Sequence, residues 1–441
     1  MTRLCAVLLL YLLNLPFADS LFVVLLTLPM LLLVLTGMIR MRSPVFQIGD
    51  VFWFCLFVFF VLSPLQRMHG EMIGGTTAIT FYAYEPYEYV EAMLIVLLFC
   101  VPFLAVRMER DASPVAKAGL PFLTTLLFLN VAAFGLFVVS EGGFERLLSS
   151  RLEQDPAEAF IASMLFLGVQ SITTCLVSIH LRAFPSRLAP LGVFVLVICL
   201  LSISRNPFNS PRFMLLAVWG PVLLALVGGR ISAWKFYAVA VIALTVLFPV
   251  LSVTTRLGLE GAAGISEISF AGNFFDVPAV DVFDMAVHAV RFMQTHEHMW
   301  GAKSVAVILF FVPRALWPGK PIVGGLDIGN ELFAAGMYGT PNLSFFLGCD
   351  LFMDFGFVGV VFGGIVVAAL LQRGMKTNVG LFAGQPVTQF VIASSLPILL
   401  RGPVGAVLPL FCCQMFAVVV LSLLTRSHQS LSTDAREAHA L

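Results

Sequence analysis

Five cations stand where a chain this apolar has least reason to keep them. Arg205 and Arg212 bracket Ser204-Arg205-Asn206-Pro207-Phe208-Asn209-Ser210-Pro211-Arg212, Arg314 and Lys320 lie in Pro313-Arg314-Ala315-Leu316-Trp317-Pro318-Gly319-Lys320-Pro321, and Arg401 precedes Gly402-Pro403. Each is at the margin of an apolar run, next to prolines. A guanidinium offers parallel N–H donors that match phosphate oxygens, and it stays charged at any relevant pH. Several such groups at one depth suit a diphosphate held at a lipid interface. The competing reading of any single one is a side chain reaching for lipid headgroups. That reading needs a flexible stem, and the stiff surroundings of Arg314 and Lys320 weigh against it.

Carboxylates accompany the cations. Asp327 and Glu331 lie in Gly324-Gly325-Leu326-Asp327-Ile328-Gly329-Asn330-Glu331, and Asp350 and Asp354 are four apart, on one face of a helix. They either pair with the arginines or supply a general base. Between residues 281 and 295 a helix would align Asp281, Asp284, His288 and Arg291 on one face, with Val282, Met285, Ala286 and Ala289 opposite. An amphipathic helix lying on the membrane explains this pattern without chemistry; proton transfer by His288 is the alternative. The catalytic candidates are thus Asp350, Glu331, Asp327 and His288. His296 and His298 have no third partner nearby in the sequence, and the eight cysteines, seven of them inside apolar runs, include no CxxC pair. No metal, cofactor or disulfide framework is expected.

These residues must be positioned by membrane helices. Of 441 residues, 59% are hydrophobic and only 11% charged, against roughly 25% charged in soluble domains. The 25 basic and 25 acidic side chains cancel, which excludes a nucleic-acid-binding surface. Apolar runs place spans near 4–18, 20–39, 51–66, 89–106, 119–140, 159–181, 188–204, 213–229, 236–253, 344–371, 381–400 and 403–425. With both termini inside, the inner side collects Arg3, Arg40, Arg42, Arg107, Arg110, Lys117, Arg182, Arg187, Arg230, Lys235, Arg373, Lys376, Arg426 and Arg436, as positive-inside bias requires. The expected fold is an all-α polytopic integral membrane protein of about 12 transmembrane helices. It divides into an N-terminal bundle (1–253), a long outer loop with short helices (254–343), C-terminal spans (344–425) and an inner tail (426–441). Within the loop, Ser304–Pro313 is too short to cross and reads as a half-helix or re-entrant piece. Gly359-Val360-Val361-Phe362-Gly363 is a GxxxG packing pattern. The Tyr- and Glu-rich stretch 81–89 suits an interfacial aromatic belt or a path for a glycan. No Walker sequence or dinucleotide motif equips the inner face.

The segments 313–321, 324–331 and 343–364, with Arg401 before the final span and 204–213 before a middle one, resemble the O-antigen polymerase (Wzy-type) family of oligosaccharide repeat-unit polymerases. The likeness is best from about 200 to 405. It implies a GT-C-type membrane glycosyltransferase in the bacterial inner membrane, metal-independent and without a cofactor, its active site facing the periplasm. The donor would be a glycan on undecaprenyl diphosphate, added to the next lipid-linked repeat unit with release of undecaprenyl diphosphate. The resemblance assigns Arg314 and Arg401 to the diphosphate, then Arg205 or Arg212, and it assigns no base. Expected partners are the lipid-linked glycan, membrane lipid, and a chain-length regulator and flippase of the same pathway. A ligase moving finished glycan to another acceptor remains an alternative. A transporter is the other, although no repeat relates the two halves.

Overall fold

The computed structural model describes residues 2–69, 72–73, 82–109, 119–144, 147, 160–206, 210, 212–227, 231–243, 281–339, 341, 343–377, 379–402 and 404–438. Calls on the backbone inside lipid are severe, because no water is present to bond exposed amides and carbonyls; helices satisfy them internally. Among the described residues seven helices are long and apolar enough to cross a membrane: α2 (Leu21–Ile39), α3 (Ile48–Arg67), α4 (Pro86–Ala105), α5 (Leu123–Ser140), α6 (Phe160–Ala183), α13 (Leu347–Lys376) and the Val407–Thr425 part of α15 (Val404–Ala438). Five shorter apolar helices take the remaining expected span positions: α1 (Thr2–Asn14, extended to Phe17), α7 (Leu188–Ser204), α8 (Arg212–Val227), α9 (Ala233–Ile242) and α14 (Val387–Arg401). Among the described residues three further helices lie between α9 and α13: α10 (Val282–Met293), α11 (Ala302–Ile308) and α12 (Leu326–Ala334). The stretch expected as a tail is helical as far as Ala438. Residues 244–280, including Glu260, Glu267 and Asp276, lie outside the described residues, as do Arg146 and Arg151.

The helices build two apolar cores. One joins α1–α4, α9, α10 and α13, and the other joins α5–α8 and α15. α14 serves both, giving Ile392 and Leu396 to the first and Val391 and Ile398 to the second. Hydrogen bonds stitch the second core where apolar contact alone gives little specificity. Asn130 donates to the Thr173 and Thr174 hydroxyls at 2.8 and 3.0 Å, and Gln414 donates to the Ser171 hydroxyl and the Ala217 carbonyl at 3.1 and 2.9 Å.

Contacts between helix termini sort the loops to two ends. At the near end Arg3 grips Asp50 with bonds of 2.6 and 3.1 Å, Val45 bridges Ser232, and the Ser43 amide donates to Glu109. At the far end Arg67 meets Asp284, Tyr84 meets His288, and the Phe345 amide donates to the Arg401 carbonyl. Of the described residues that the charge bias assigns to the inside, Arg3, Arg40, Arg42 and Arg107 lie at this near end.

One expected span is broken. Within α13, Gly356 has φ 64° and ψ −156°, a conformation essentially confined to glycine. The segment 347–355 folds back on the remainder: a Cβ on Gly363 would strike the Leu351 side chain, and one on Gly359 the Phe355 side chain and Leu351 carbonyl. The GxxxG glycines therefore receive their own helix's first turns. The neighbouring Gly364 faces the Phe99 backbone of α4. The fold-back sets Asp350 and Asp354 across from α11.

Replacing Gly356 with Ala is expected to destabilise the protein by about 1–3 kcal/mol through backbone strain. Thermal unfolding in detergent measures this, and an unchanged transition would show that the break tolerates a side chain.

Candidate functional site

The far end is organised around α10. Its residues from Val282 to Val290 are buried on every side, so it does not lie on a membrane surface as the sequence suggested. The polar stripe faces inward, and each member meets a different element. Asp284 forms an ion pair with Arg67 of α3 at 2.6 Å, both side chains sealed from solvent. Asp281 accepts from the Ser344 hydroxyl and lies 3.5 Å from Arg401 at the end of α14. His288 sits between the Tyr84 and Tyr338 hydroxyls, the latter at 3.0 Å. Arg291 reaches Glu88 at the start of α4 with bonds of 2.6 and 2.9 Å and covers the Tyr84 ring at 3.9 Å.

His288 is consequently a structural group here. Burial, reinforced by the nearby Arg291 charge, pushes its pKa down to about 3. Burial also raises the Tyr84 and Tyr338 hydroxyls, so both stay protonated. A neutral imidazole offers one donor and one acceptor, which the two tyrosines satisfy. The expected interfacial belt is corrected in the same way, since Tyr84 and Tyr89 are interior and Tyr87 alone of the three is exposed.

A second cluster forms where α11, the loop 320–325 and the first half of α13 meet. Lys303, fully buried, donates to Asp327 at 2.6 Å and to the Ile322 carbonyl at 3.0 Å, and lies 3.9 Å from Asp350. Asp350 accepts from the Gly324 amide at 3.1 and 3.2 Å. Asp354 accepts from the Lys303 and Ser304 amides and the Ser304 hydroxyl, capping α11. Gly324 and Gly325 both have left-handed φ, and a Cβ on Gly325 would enter the Phe345 ring. Lys303 was not among the sequence candidates. Its signal is a lysine immediately before the apolar run 304–313, a position that burial makes costly without carboxylate partners.

Of the five proposed anion-binding cations, the structure joins two, Arg314 and Lys320, directly. Arg314 is exposed, and its Nη1 donates to the Lys320 carbonyl at 2.8 Å. Lys320 is engaged elsewhere. Its ammonium donates to the carbonyls of Leu309, Phe310 and Val312 at 2.9–3.1 Å, so all three donors close the end of α11 and none is left for a phosphate. Burial and then the Arg314 charge lower its pKa. Arg401 points instead to Asp281, 3.5 Å away, although α15 begins against the loop that follows Lys320, where a Cβ on Gly405 would touch Val323. Arg205 lies apart, at the end of α7 in the second core, its guanidinium 5.7 Å from the Phe137 ring. Arg212 opens α8, and its side chain is outside the described residues. Glu331 is exposed, 3.5 Å from His296, which stacks on Phe292, while His298 turns to the Met353 carbonyl. Among the described residues no three His, Cys, Asp or Glu side chains are placed to hold a metal ion.

Comparison of the chain with protein-family models, with curated proteins and with solved structures gave no match.

Two outcomes follow from α10. Asp284→Asn leaves Arg67 buried beside a neutral group and should cost about 3–5 kcal/mol, whereas replacing both partners with apolar residues should restore much of the loss. A double-mutant cycle of unfolding free energies checks this. The pH dependence has a definite sign. His288 is protonated far less readily folded than unfolded, so its contribution is complete above pH ~6.5 and is lost as pH falls toward 3, at up to about 1.4 kcal/mol per pH unit. Melting curves should show this slope in the wild type and its reduction in His288→Gln.

Proposed function

We propose that the protein is a membrane glycosyltransferase that polymerises undecaprenyl-diphosphate-linked oligosaccharide repeat units. In this reading twelve helices of a GT-C-like fold span the bacterial inner membrane and the far end faces the periplasm. The observation that carries the proposal is the segment 313–327: it holds an exposed guanidinium, Arg314, and a partly exposed carboxylate, Asp327, on one proline- and glycine-stiffened stretch. Glycosyl transfer from a diphosphate needs those two functions together, anion stabilisation and proton acceptance.

In the proposed reaction the acceptor sugar hydroxyl attacks the anomeric carbon of the donor. Its proton passes to Asp327, which Lys303 holds in place from 2.6 Å. The bond from the anomeric carbon to the diphosphate oxygen breaks, and the electron pair leaves with undecaprenyl diphosphate. A guanidinium has five donors and Arg314 uses one on Lys320, which leaves donors for the departing oxygens. Arg401 is paired with Asp281 at 3.5 Å and in this reading reaches the diphosphate only by exchanging that partner. Asp350, with its side chain only 5% exposed and bound to Gly324, shapes the loop that presents Asp327. Glu331, exposed on α12, is left to contact the glycan.

Purified protein supplied with a lipid-linked repeat unit should make a ladder of longer glycans. Arg314→Ala should lower the rate by about 10²–10³-fold and Asp327→Asn by about 10²–10⁴-fold; because Asp327 also pairs with buried Lys303, thermal unfolding of each variant separates lost chemistry from lost stability. A ladder unchanged in both variants would exclude this assignment of the site. Transfer of finished polymer, with no extension of single units, would point to the ligase reaction instead.

A further inference from the structure

The near end, opposite the candidate site, holds a cavity of about 450 Å3 between the ends of α2, α3 and α4. Its volume falls within the range of small-ligand sites, roughly 300–1,000 Å3. Trp53 and Phe103 form its apolar floor. Phe52 joins them, edge-on to Trp53 at 4.9 Å and stacked on Phe103 at 4.6 Å. Gly37 admits this floor, because a Cβ there would lie 2.2 Å from the Trp53 ring.

The rim is cationic. Arg40, Arg42 and Arg107 line the opening and are all exposed, and Glu109 is the one acidic residue among the described residues of the lining. Glu109 accepts from the Ser43 amide at 2.6 Å, and Arg40 donates to the Leu104 carbonyl. These two bonds tie the loop after α2 to the loop after α4, so the arginines are carried on a braced frame. Ordinary headgroup-seeking arginines need no cavity beneath them. Here three guanidiniums surround an aromatic recess at the ends of two apolar helices.

We propose that this recess binds a phosphate-bearing group, with the phosphate between Arg42 and Arg107 and the apolar part of the ligand on Trp53 and Phe103. Guanidinium groups supply the paired, charge-assisted donors that phosphate oxygens accept. The aromatic floor favours a phosphate attached to a lipid; free phosphate shares the same recognition chemistry. This site is independent of the proposed transferase reaction.

Native mass spectrometry of the detergent-purified full chain tests it, with dioleoylphosphatidylglycerol, dioleoylglycerol and inorganic phosphate as separate probes. The phosphate-bearing lipid should be retained about tenfold more tightly than dioleoylglycerol, and Arg42→Gln/Arg107→Gln should remove about that factor. Ala105→Phe, which fills the recess without changing charge, should weaken the lipid comparably. Arg187→Gln, at the same end but outside the cavity, should have no effect. Retention of inorganic phosphate alone, with the same dependence on Arg42 and Arg107, supports the site and identifies free phosphate as its source. Equal retention of both lipids with no phosphate bound overturns the proposal, as does an equal loss with Arg187→Gln. If the double arginine variant does not fold, Ala105→Phe and the wild-type probe comparison still decide.

Discussion

Charge withdrawn from water has to find opposite charge or hydrogen bonds, and that requirement shapes the far end of this protein. Arg67 ends a helix long and apolar enough to cross a membrane, with its guanidinium sealed from solvent beside Asp284. Taking both groups out of water is costly, and the pair persists only if α10 lies where Asp284 can reach. The other members of the α10 stripe repeat the arrangement with Arg401, Glu88 and two tyrosines. Four elements distant in sequence are thereby fixed to one short helix. Apolar packing alone would not set this register, because lipid and side chain are similarly apolar.

The same logic separates groups used up within the fold from groups left exposed. Groups whose bonding capacity is used within the fold hold the scaffold: His288 between tyrosines, Lys320 on three carbonyls, Asp354 on the start of α11. Arg314 and Asp327 retain exposure and are carried on a stretch braced by Lys303 and Asp350. The break at Gly356 makes this possible, since it turns the first part of α13 back across its own glycines and brings Asp350 under the loop.

The two ends differ in how they use arginine. At the near end Arg3 is buried against Asp50, with Tyr237 3.3 Å from the same carboxylate, while Arg40, Arg42 and Arg107 stay exposed around an aromatic recess. At the far end Arg67, Arg291, Lys303 and Arg401 lie against carboxylates. A count of positive residues per loop captures the bias but not this division of roles.

What the residues alone determined was the class of the molecule and the places where its helices lie, because an apolar run of sufficient length has only one good way to satisfy its backbone in lipid. Periodicity also placed a helix over 281–295 with Asp281, Asp284, His288 and Arg291 on one face. Which way that face points was decided by tertiary structure: a polar stripe looks the same whether it meets water or Arg67, Arg401 and Glu88 from distant segments. The partner of Lys303, the use of Lys320 as a helix closure and the fold-back at Gly356 were likewise settled only by long-range contacts. Local sequence records the charge that must be neutralised, whereas the group that neutralises it lies up to 217 residues away, at a separation no local pattern encodes.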